Sequence, residues 1–398
     1  MKKFLPFSLK FGLKWLILTL AVLLHICFYV SAFKTHSLDK FFLTVTQGQD
    51  FFQIPNAAYS FLRGGNLQGN VNGLKNPYID CCRVNPNVYH PFFTLAVGIP
   101  LQFFKPWTAF NLWLFLHFAI DVFIVLFLIS KFKKNRYLIL ALLIFLLNNF
   151  AYYEILSSQY HFLLNLFTFL FLYENYKNGD TARAGFYYFL SLFVKPIGLL
   201  WILPLIFYKQ FKTLFIGLGL YILISLPFYL IPIGGYFFEN ILVTIEGTIP
   251  NDFNIIALLR AFGYDLKNAY YWEIFFMIAF LVLSLPKKVK LFTIIFFMVC
   301  FQLIFYGGSY PYHFSILGYL LPLGVILGAI ELGLFEKIAI FFLTIPAPIA
   351  YLRFILGVSI QQLEVLTFVS WSVIPLLLLI LTVYIKTVLK IKHSTGNS

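Results

Sequence analysis

Residues 107–130 read WTAFNLWLFLHFAIDVFIVLFLIS, an apolar run in which Asp121 is the only residue with a formal charge. A helix needs about 20 predominantly apolar residues to cross the hydrocarbon core of a bilayer. The run therefore predicts a membrane-spanning helix that carries a carboxyl group inside the membrane. A second run of this kind, residues 14–33, lies near the N-terminus.

The whole chain has the composition of a membrane protein. Of its 398 residues, 61% are hydrophobic and only 11% are charged, whereas a soluble domain carries about 25% charged residues. We expect an all-α polytopic protein, one integral-membrane domain (1–398) with about twelve transmembrane helices, in the range of roughly 10 to 13. The predicted spans are 14–33, 107–130, 136–151, 160–174, 183–194, 196–208, 212–233, 269–285, 290–306, 313–331, 336–350 and 365–386.

The positive charge predicts an orientation rather than a nucleic-acid partner. The net charge of +14 comes from short clusters between apolar blocks, as at 131–136, 209–212, 287–290 and 386–392. With the N-terminus inside, roughly two thirds of the Lys and Arg residues fall on the cytoplasmic side, as the positive-inside rule requires. We expect the chain in the inner (plasma) membrane, with the N-terminus and the tail 387–398 in the cytoplasm.

Most of the polar sequence falls in two loops on the opposite, outer side. These are residues 34–90 and 234–268, and long loops on a membrane scaffold are where function is expected. Within them, 50–63 and 250–263 are predicted to form short amphipathic helices on the outer surface. The apolar segment 91–104 is too short to cross and is predicted to be interfacial or partly inserted.

Several polar residues meet at the predicted outer ends of separate spans. An anionic lipid-linked substrate needs cations for its phosphate and a carboxylate as a base, and this set contains both. The set consists of Asp50, His90, Glu154, Gln159, His161, Lys195, Asn251, Arg260, Tyr312 and His313.

Each candidate also has a structural interpretation. Asp50 precedes a helical stretch and is equally suited to cap its N-terminus. Lys195, in Phe193-Val194-Lys195-Pro196, interrupts an apolar stretch as a snorkelling lysine would. The two short spans on either side of Lys195-Pro196 are predicted to form a broken or a re-entrant pair. Asp121 is either a proton-relay residue or a structural partner of His117 or Asn111 on its own helix.

His313 heads a predicted helix and suits phosphate binding, proton relay or an interfacial aromatic position equally well. A metal site built from His90, His161, His313 and Asp50 has no diagnostic ligand spacing, so we expect none. The adjacent Cys81 and Cys82 show no metal-type spacing either.

Taken in order, the outer motifs resemble those of the GT-C superfamily of membrane glycosyltransferases. The nearest likeness is to family 87, the polyprenol-phosphate-mannose-dependent α-mannosyltransferases, over residues 14–331. The family's first outer loop has an Asp followed by aromatics, an Ala pair, a Leu-x-Gly element and then a Tyr-Pro-Pro element. The matching segments are Asp50-Phe51-Phe52, Ala57-Ala58-Tyr59, Leu62-Arg63-Gly64, Pro77-Tyr78 and Tyr89-His90-Pro91, in which one Pro is missing.

Later motifs match in part. The family's Gly-Gln-x-Asn keeps only its Gln, as Gln159, whereas its Lys-Pro is intact as Lys195-Pro196. Its Asn-Gln-Ser element, with Arg nine positions after the Asn, keeps Asn251 and Arg260. Its His-His pair becomes Tyr312-His313.

The resemblance implies a GT-C type helical bundle and an inverting, metal-independent hexosyltransferase without a cofactor, working in the cell envelope. The donor would be a polyprenyl-phosphate sugar (mannose by analogy) and the acceptor a glycolipid or glycan at the outer, periplasmic membrane face. Asp50 would be the general base, and Lys195, Arg260 and His313 would bind the donor phosphate. Sugar and acceptor would contact Gln159, His161, Asn251, His90 and Tyr312.

Three other classes stay open. A glycan ligase would share the fold and the carrier. A flippase or transporter for a lipid-linked sugar would need the same cations, and also ionisable residues along a path to the cytoplasm, where Asp121 is the main one. A purely structural subunit does not account for a large outer loop with a carboxylate placed after the first helix.

Overall fold

A computed structural model of the protein describes residues 7–34, 47–48, 50–65, 67, 76–80, 87, 89–230, 255, 269–284, 289–305, 311–345 and 368–395. These residues form helices and the turns between them, with no strand in this part of the chain. The all-α prediction is therefore confirmed.

Sixteen helices are labelled here in chain order. They are α1 (Phe7–Ala32), α2 (Gln53–Phe61), α3 (Pro77–Asp80), α4 (Pro91–Leu101), α5 (Pro106–Phe132), α6 (Leu138–Leu146), α7 (Asn149–Ser157), α8 (His161–Asn178), α9 (Ala182–Val194), α10 (Ile202–Phe207), α11 (Phe211–Leu230), α12 (Ala269–Ser284), α13 (Leu291–Phe305), α14 (Ile316–Ile326), α15 (Leu334–Thr344) and α16 (Ile374–Thr395). Short 3₁₀ helices precede α10 (Pro196–Trp201) and α14 (Pro311–Ser315), and a π-helical turn precedes α16 (Val369–Val373).

Within the described residues, five helical segments are long and apolar enough to cross a membrane. They are Gly12–Ala32, Pro106–Phe132, Leu138–Ser157, Phe211–Phe228 and Val369–Thr387. The third joins α6 and α7 through Asn148, whose side chain accepts a hydrogen bond from the N–H of Phe150 and so caps α7 (3.0 Å). The membrane character of the chain follows from these helices, and the total of twelve spans remains a prediction.

The predicted break at Lys195-Pro196 is present. α9 ends at Val194, and Lys195 is extended (φ −146°, ψ 136°) before a 3₁₀ helix that begins at Pro196. A proline ring disfavours helical backbone at the residue before it, and it also lacks the N–H that would continue the helix. The break leaves the Lys195 side chain at the end of α9, next to the start of α8.

The helix predicted within 50–63 exists as α2, but it does not lie on an open surface. Seven of its nine residues are buried, because α2 packs against α4. At Gly98 of α4, an added Cβ would lie 2.6 Å from the Cβ of Ala58, so the two helices are in close contact there. The short apolar segment predicted from residue 91 is α4. The segment 250–263, apart from the helical Ile255, lies outside the described residues.

Four helix ends define one end of the bundle, which we call the site end. The C-termini of α7 and α9 and the N-termini of α8 and α14 all lie there. Antiparallel neighbours α8 and α9 pack along their length, as do α9 and α11. The opposite end carries the exposed basic residues of the α5–α6 turn, together with Lys209 and Lys212 before and at the start of α11.

Candidate functional site

The segment that carries Asp50 is hydrogen-bonded to the C-terminal end of α7. The N–H of Gly48 donates to the carbonyl of Leu156 (3.0 Å), and the N–H of Asp50 donates to the carbonyl of Ser157 (3.2 Å). Gly48 has φ +77°, and a Cβ there would lie 2.8 Å from a ring carbon of Phe110. Glycine is therefore required for the turn that places Asp50.

The Asp50 side chain is not a helix cap. The N-cap position of α2 is Phe52, which makes no side-chain capping hydrogen bond. The carboxylate of Asp50 instead accepts a hydrogen bond from Nε2 of Gln53 (2.8 Å) and is almost fully buried. The capping interpretation of Asp50 is wrong, because the N-cap position of α2 is Phe52, two residues further along the chain.

The turn between α7 and α8 lies beside Asp50. Ser158 adopts a left-handed conformation (φ 50°) that ends α7. The side chain of Gln159 accepts a hydrogen bond from the hydroxyl of Tyr89. The hydroxyl of Tyr160 donates to the carbonyl of Phe51 (2.8 Å). Buried aromatic side chains thus fix the turn against the residues that follow Asp50.

Lys195 contributes the cation of this site. Its ammonium donates to Nε2 of His161 (3.3 Å) and lies 5.2 Å from the ring centroid of Tyr89. Burial lowers the pKa of Lys195 to about 8, and the opposing charges of Asp50 and then Glu154 limit that fall. Because the charge of Asp50 acts on this pKa, the carboxylate of Asp50 and the ammonium of Lys195 are close enough to interact electrostatically.

The third part of the site comes from the 3₁₀ helix before α14. The ring of His161 lies 4.7 Å from that of His313 and 5.1 Å from that of Tyr312, between ring centroids. The 3₁₀ helix is held at its end, because Asn148 donates to the carbonyl of Ser315 (3.2 Å). Tyr312 and His313 are half-buried, as is Lys195.

We call this assembly the Asp50 cluster. It joins a carboxylate, a cation, two imidazoles, two phenols and one amide from five separate segments of the chain. Its members are Asp50, Tyr89, Gln159, His161, Lys195, Tyr312 and His313. A group that gains negative charge near Lys195 and His313 would be stabilised, and Asp50 is the nearby proton acceptor.

His90 is placed differently from the other predicted residues. It caps α4: its Nδ1 accepts from the N–H of Phe92 (3.2 Å), and its Nε2 lies 2.8 Å from the hydroxyl oxygen of Ser225 on α11. Burial lowers the pKa of His90 to about 4, so the ring is neutral at physiological pH. Both ring nitrogens of His90 have partners within the protein. Of the predicted sugar- or acceptor-binding residues, His90 therefore has the least support.

Two predicted site residues, Asn251 and Arg260, lie outside the described residues. The structure also gives surroundings to two residues without an individual role in the sequence prediction, Tyr89 and Glu154, of which Glu154 was in the predicted outer set. Tyr89 bridges Gln159 and Lys195, and its position directly before His90-Pro91 was the available signal. Glu154 is buried on α7, where its carboxylate accepts from Nδ2 of Asn165 (3.3 Å).

Asp121 belongs to a separate buried group, which we call the intramembrane cluster: His25, Tyr29, Asp121 and Tyr319. One carboxylate oxygen of Asp121 accepts from Nε2 of His25 (3.1 Å) and from the hydroxyl of Tyr29 (2.7 Å). The other accepts from the hydroxyl of Tyr319 (3.3 Å). His117, the partner suggested on the same helix, instead stacks on Phe162, with ring centroids 4.2 Å apart.

Within the part of the chain that the structure describes, no three His, Cys, Asp or Glu side chains gather in a group that could hold a metal ion. Comparison with known proteins adds no further assignment: no family profile, curated protein or solved structure matches this chain.

Proposed function

We propose that the protein is a membrane glycosyltransferase that takes a hexose from a polyprenyl-phosphate carrier and passes it to a glycolipid or glycan acceptor. The observation that carries the proposal is the Asp50 cluster, in which a buried carboxylate and a partly buried cation share one end of a bundle of apolar helices. Mannose as the sugar and the GT-C fold rest on the motif resemblance alone.

The reaction would proceed by one inverting displacement. The acceptor oxygen attacks the anomeric carbon of the donor, and the bond from that carbon to the phosphate oxygen breaks. The acceptor proton passes to the carboxylate of Asp50, and the bond electrons leave with the polyprenyl phosphate. Lys195 and His313 lie where that phosphate would gain charge. A phosphate is already a weak base, so the leaving group needs no separate general acid.

An apolar stripe next to Lys195 supports a lipid-linked donor. After Pro196, Leu199 of the 3₁₀ helix is exposed, and so are Leu203, Ile206 and Phe207 of α10. Residues three or four apart, such as Leu203, Ile206 and Phe207, lie on one face of an α-helix. An isoprenoid chain lying along this face would bring its phosphate to Lys195.

The distribution of charge supports the proposed orientation. The site end of the bundle holds the Asp50 cluster, whereas exposed basic residues such as Lys133, Lys134 and Lys209 lie at the opposite end. Under the positive-inside rule, that opposite end is cytoplasmic and the site faces outward. We propose, with this orientation, that the chain lies in the inner (plasma) membrane and that its active site faces the periplasmic side.

A transporter is the less favoured function. It needs a polar path through the membrane, and the carboxylate of Asp121 is already bonded to His25, Tyr29 and Tyr319. Further along α5, the buried residues toward the basic end are the apolar Ile124 and Leu128. A glycan ligase would use the same cluster and differ only in the size of the transferred group.

The test is sugar transfer in membranes supplied with a panel of polyprenyl-phosphate sugars. Asp50→Asn keeps the hydrogen bond to Gln53 within reach but removes the base. Because general base catalysis contributes roughly 10²- to 10⁴-fold, transfer by the variant should fall by at least about a hundredfold. Donor binding, measured as a donor-induced rise in the melting midpoint, should persist.

Glu331→Gln, which removes an exposed carboxylate at the opposite end of the bundle, is the matched control and should transfer like the wild type. Equal transfer by Asp50→Asn and wild type would refute the role of Asp50. Movement of carrier lipid across the bilayer, without transfer from any donor, would favour the transporter. Transfer of oligosaccharides but not of single sugars would favour the ligase.

A further inference from the structure

A cavity of about 320 Å³ lies at the basic end of the bundle, far along the helices from the Asp50 cluster. It opens between the turn that joins α5 to α6 and the C-terminal end of α14. Its lining residues are Lys134, Asn135, Arg136, Tyr137, Val325, Ile326 and Gly328. One wall is basic and polar, and the opposite wall is formed by buried aliphatic side chains.

The two walls are joined by specific hydrogen bonds. Nδ2 of Asn135 donates to the carbonyl of Ile326 (2.9 Å), and Oδ1 of Asn135 accepts from the N–H of Tyr137 (2.9 Å). The hydroxyl of Tyr176 donates to the carbonyl of Leu327 (2.9 Å). The α5–α6 turn is therefore fixed against the end of α14, and the carbonyls of Ile326 and Leu327 are bonded without help from the basic residues.

The basic residues at the rim have no carboxylate partner in the described part of the chain. Lys131, Lys133, Lys134 and Arg136 are all exposed, and the ion pairs found there, His25–Asp121 and Lys386–Glu336, lie elsewhere. The guanidinium of Arg136 lies over the ring of Tyr137, 4.6 Å from its centroid. Four like charges within six residues repel one another, and an anion bound among them would offset that repulsion.

A lipid-facing stripe leads along α5 to this rim. Val122, Leu126 and Ile129 are exposed apolar residues, and Lys133 follows at the same helical spacing. Residues three or four apart share one face of a helix. An acyl chain lying along this face would therefore end at the basic rim, where the headgroup of its lipid would be.

We propose that this cavity is a binding site for an anionic glycerophospholipid of the bilayer. The headgroup phosphate is held by Lys134 and Arg136, and the acyl chains follow the exposed face of α5. Basic pockets between transmembrane helices bind anionic headgroups in this way. The site is independent of the proposed transferase activity, because it uses no residue of the Asp50 cluster.

The binding test uses purified protein and native mass spectrometry, with phosphatidylglycerol titrated against phosphatidylcholine. The variant is Lys134→Gln with Arg136→Gln. The matched control is Lys209→Gln with Lys212→Gln, which removes the same charge from the same end of the bundle without touching the cavity. We expect wild type and control to hold one phosphatidylglycerol, and the cavity variant to bind it more weakly by about tenfold or more.

Equal loss of binding in both double variants would overturn the proposal, since it would show a general attraction to basic surface. Equal binding of phosphatidylcholine, or full displacement of the lipid by inorganic phosphate at millimolar concentration, would overturn it as well. If the double variant fails to fold, the single changes Lys134→Gln and Arg136→Gln decide the question. Each single change should weaken the binding of phosphatidylglycerol but not that of phosphatidylcholine. A lack of effect in both single variants would refute the site.

Discussion

Two features of the surroundings of Lys195 change its pKa in opposite directions. Burial favours the neutral amine and lowers its pKa to about 8, while Asp50 and Glu154 favour the ammonium. At neutral pH the ammonium form therefore still prevails. An unfolded lysine keeps its proton up to about pH 10.4. Between these two values the unfolded chain binds more protons, so the contribution of Lys195 to stability rises with pH while its positive charge in the site is lost.

This titration predicts the alkaline limit of the activity. Transfer, and binding of the polyprenyl-phosphate product, should decline as the pH rises through 8. The activity of Lys195→Arg should be lower than that of the wild type, because a guanidinium differs in shape from an ammonium. Since the arginine stays protonated at all accessible pH values, the decline near pH 8 should disappear. Lys195→Met should bind the product weakly at every pH. The measurement is kcat/KM from pH 6 to 10, and an unchanged decline in the arginine variant would exclude Lys195 as the titrating group.

At the scale of helices, close packing depends on a glycine of α11. An added Cβ at Gly217 would lie 2.3 Å from the ring of Tyr188 on α9, whereas one at Gly219 would meet nothing within 4 Å. Tyr188 is buried, and its hydroxyl donates to the carbonyl of Gly198 (2.8 Å), so it cannot move away freely. α9 in turn carries Lys195 at its end.

Gly217→Ala should therefore destabilise the protein by roughly 1–3 kcal/mol, as overpacking does, and should also reduce transfer by displacing the end of α9. Gly219→Ala is the matched change on the same helix. It should leave stability unchanged or raise it by up to about 1 kcal/mol, through the better helix propensity of alanine. Melting midpoints of both variants in one detergent decide the comparison, and equal midpoints would show that α9 and α11 separate easily.

The sequence predicted individual elements better than the contacts between them. The length of an apolar run and the Lys195-Pro196 dipeptide are local signals. In the described residues the break is found, and five helical segments are long and apolar enough to cross a membrane. The burial of α2 was missed, because its partner α4 lies beyond the loop that follows it. The sequence also did not show that Asp50 is not the N-cap of α2, because its segment is fixed by backbone hydrogen bonds to α7, more than one hundred residues along the chain. No local spacing encodes the meeting of His161, Lys195 and His313.

For the whole molecule, the intramembrane cluster ties three helices together. His25 belongs to α1, Asp121 to α5 and Tyr319 to α14, and the loop after α1 leads to Asp50 while α14 follows His313. A charge within the membrane is expensive unless it is paired and hydrogen-bonded. The three hydrogen bonds to Asp121 meet that requirement and link the two sides of the Asp50 cluster through the bundle core.

Asp121→Asn separates the two leading functions. It removes the partner of His25, so the free energy of unfolding should fall by roughly 3 kcal/mol, with a lower melting midpoint. A transferase needs no charge at this position, so transfer per folded molecule should stay within about twofold of wild type at a temperature well below the midpoint. A transporter that relays protons through Asp121 would lose transport completely.

Should Asp121→Asn fail to fold, Tyr319→Phe removes only the longest of the three hydrogen bonds and leaves the charge in place. Loss of transfer in that variant at full folding would show that the intramembrane cluster acts in the reaction and not only in the fold.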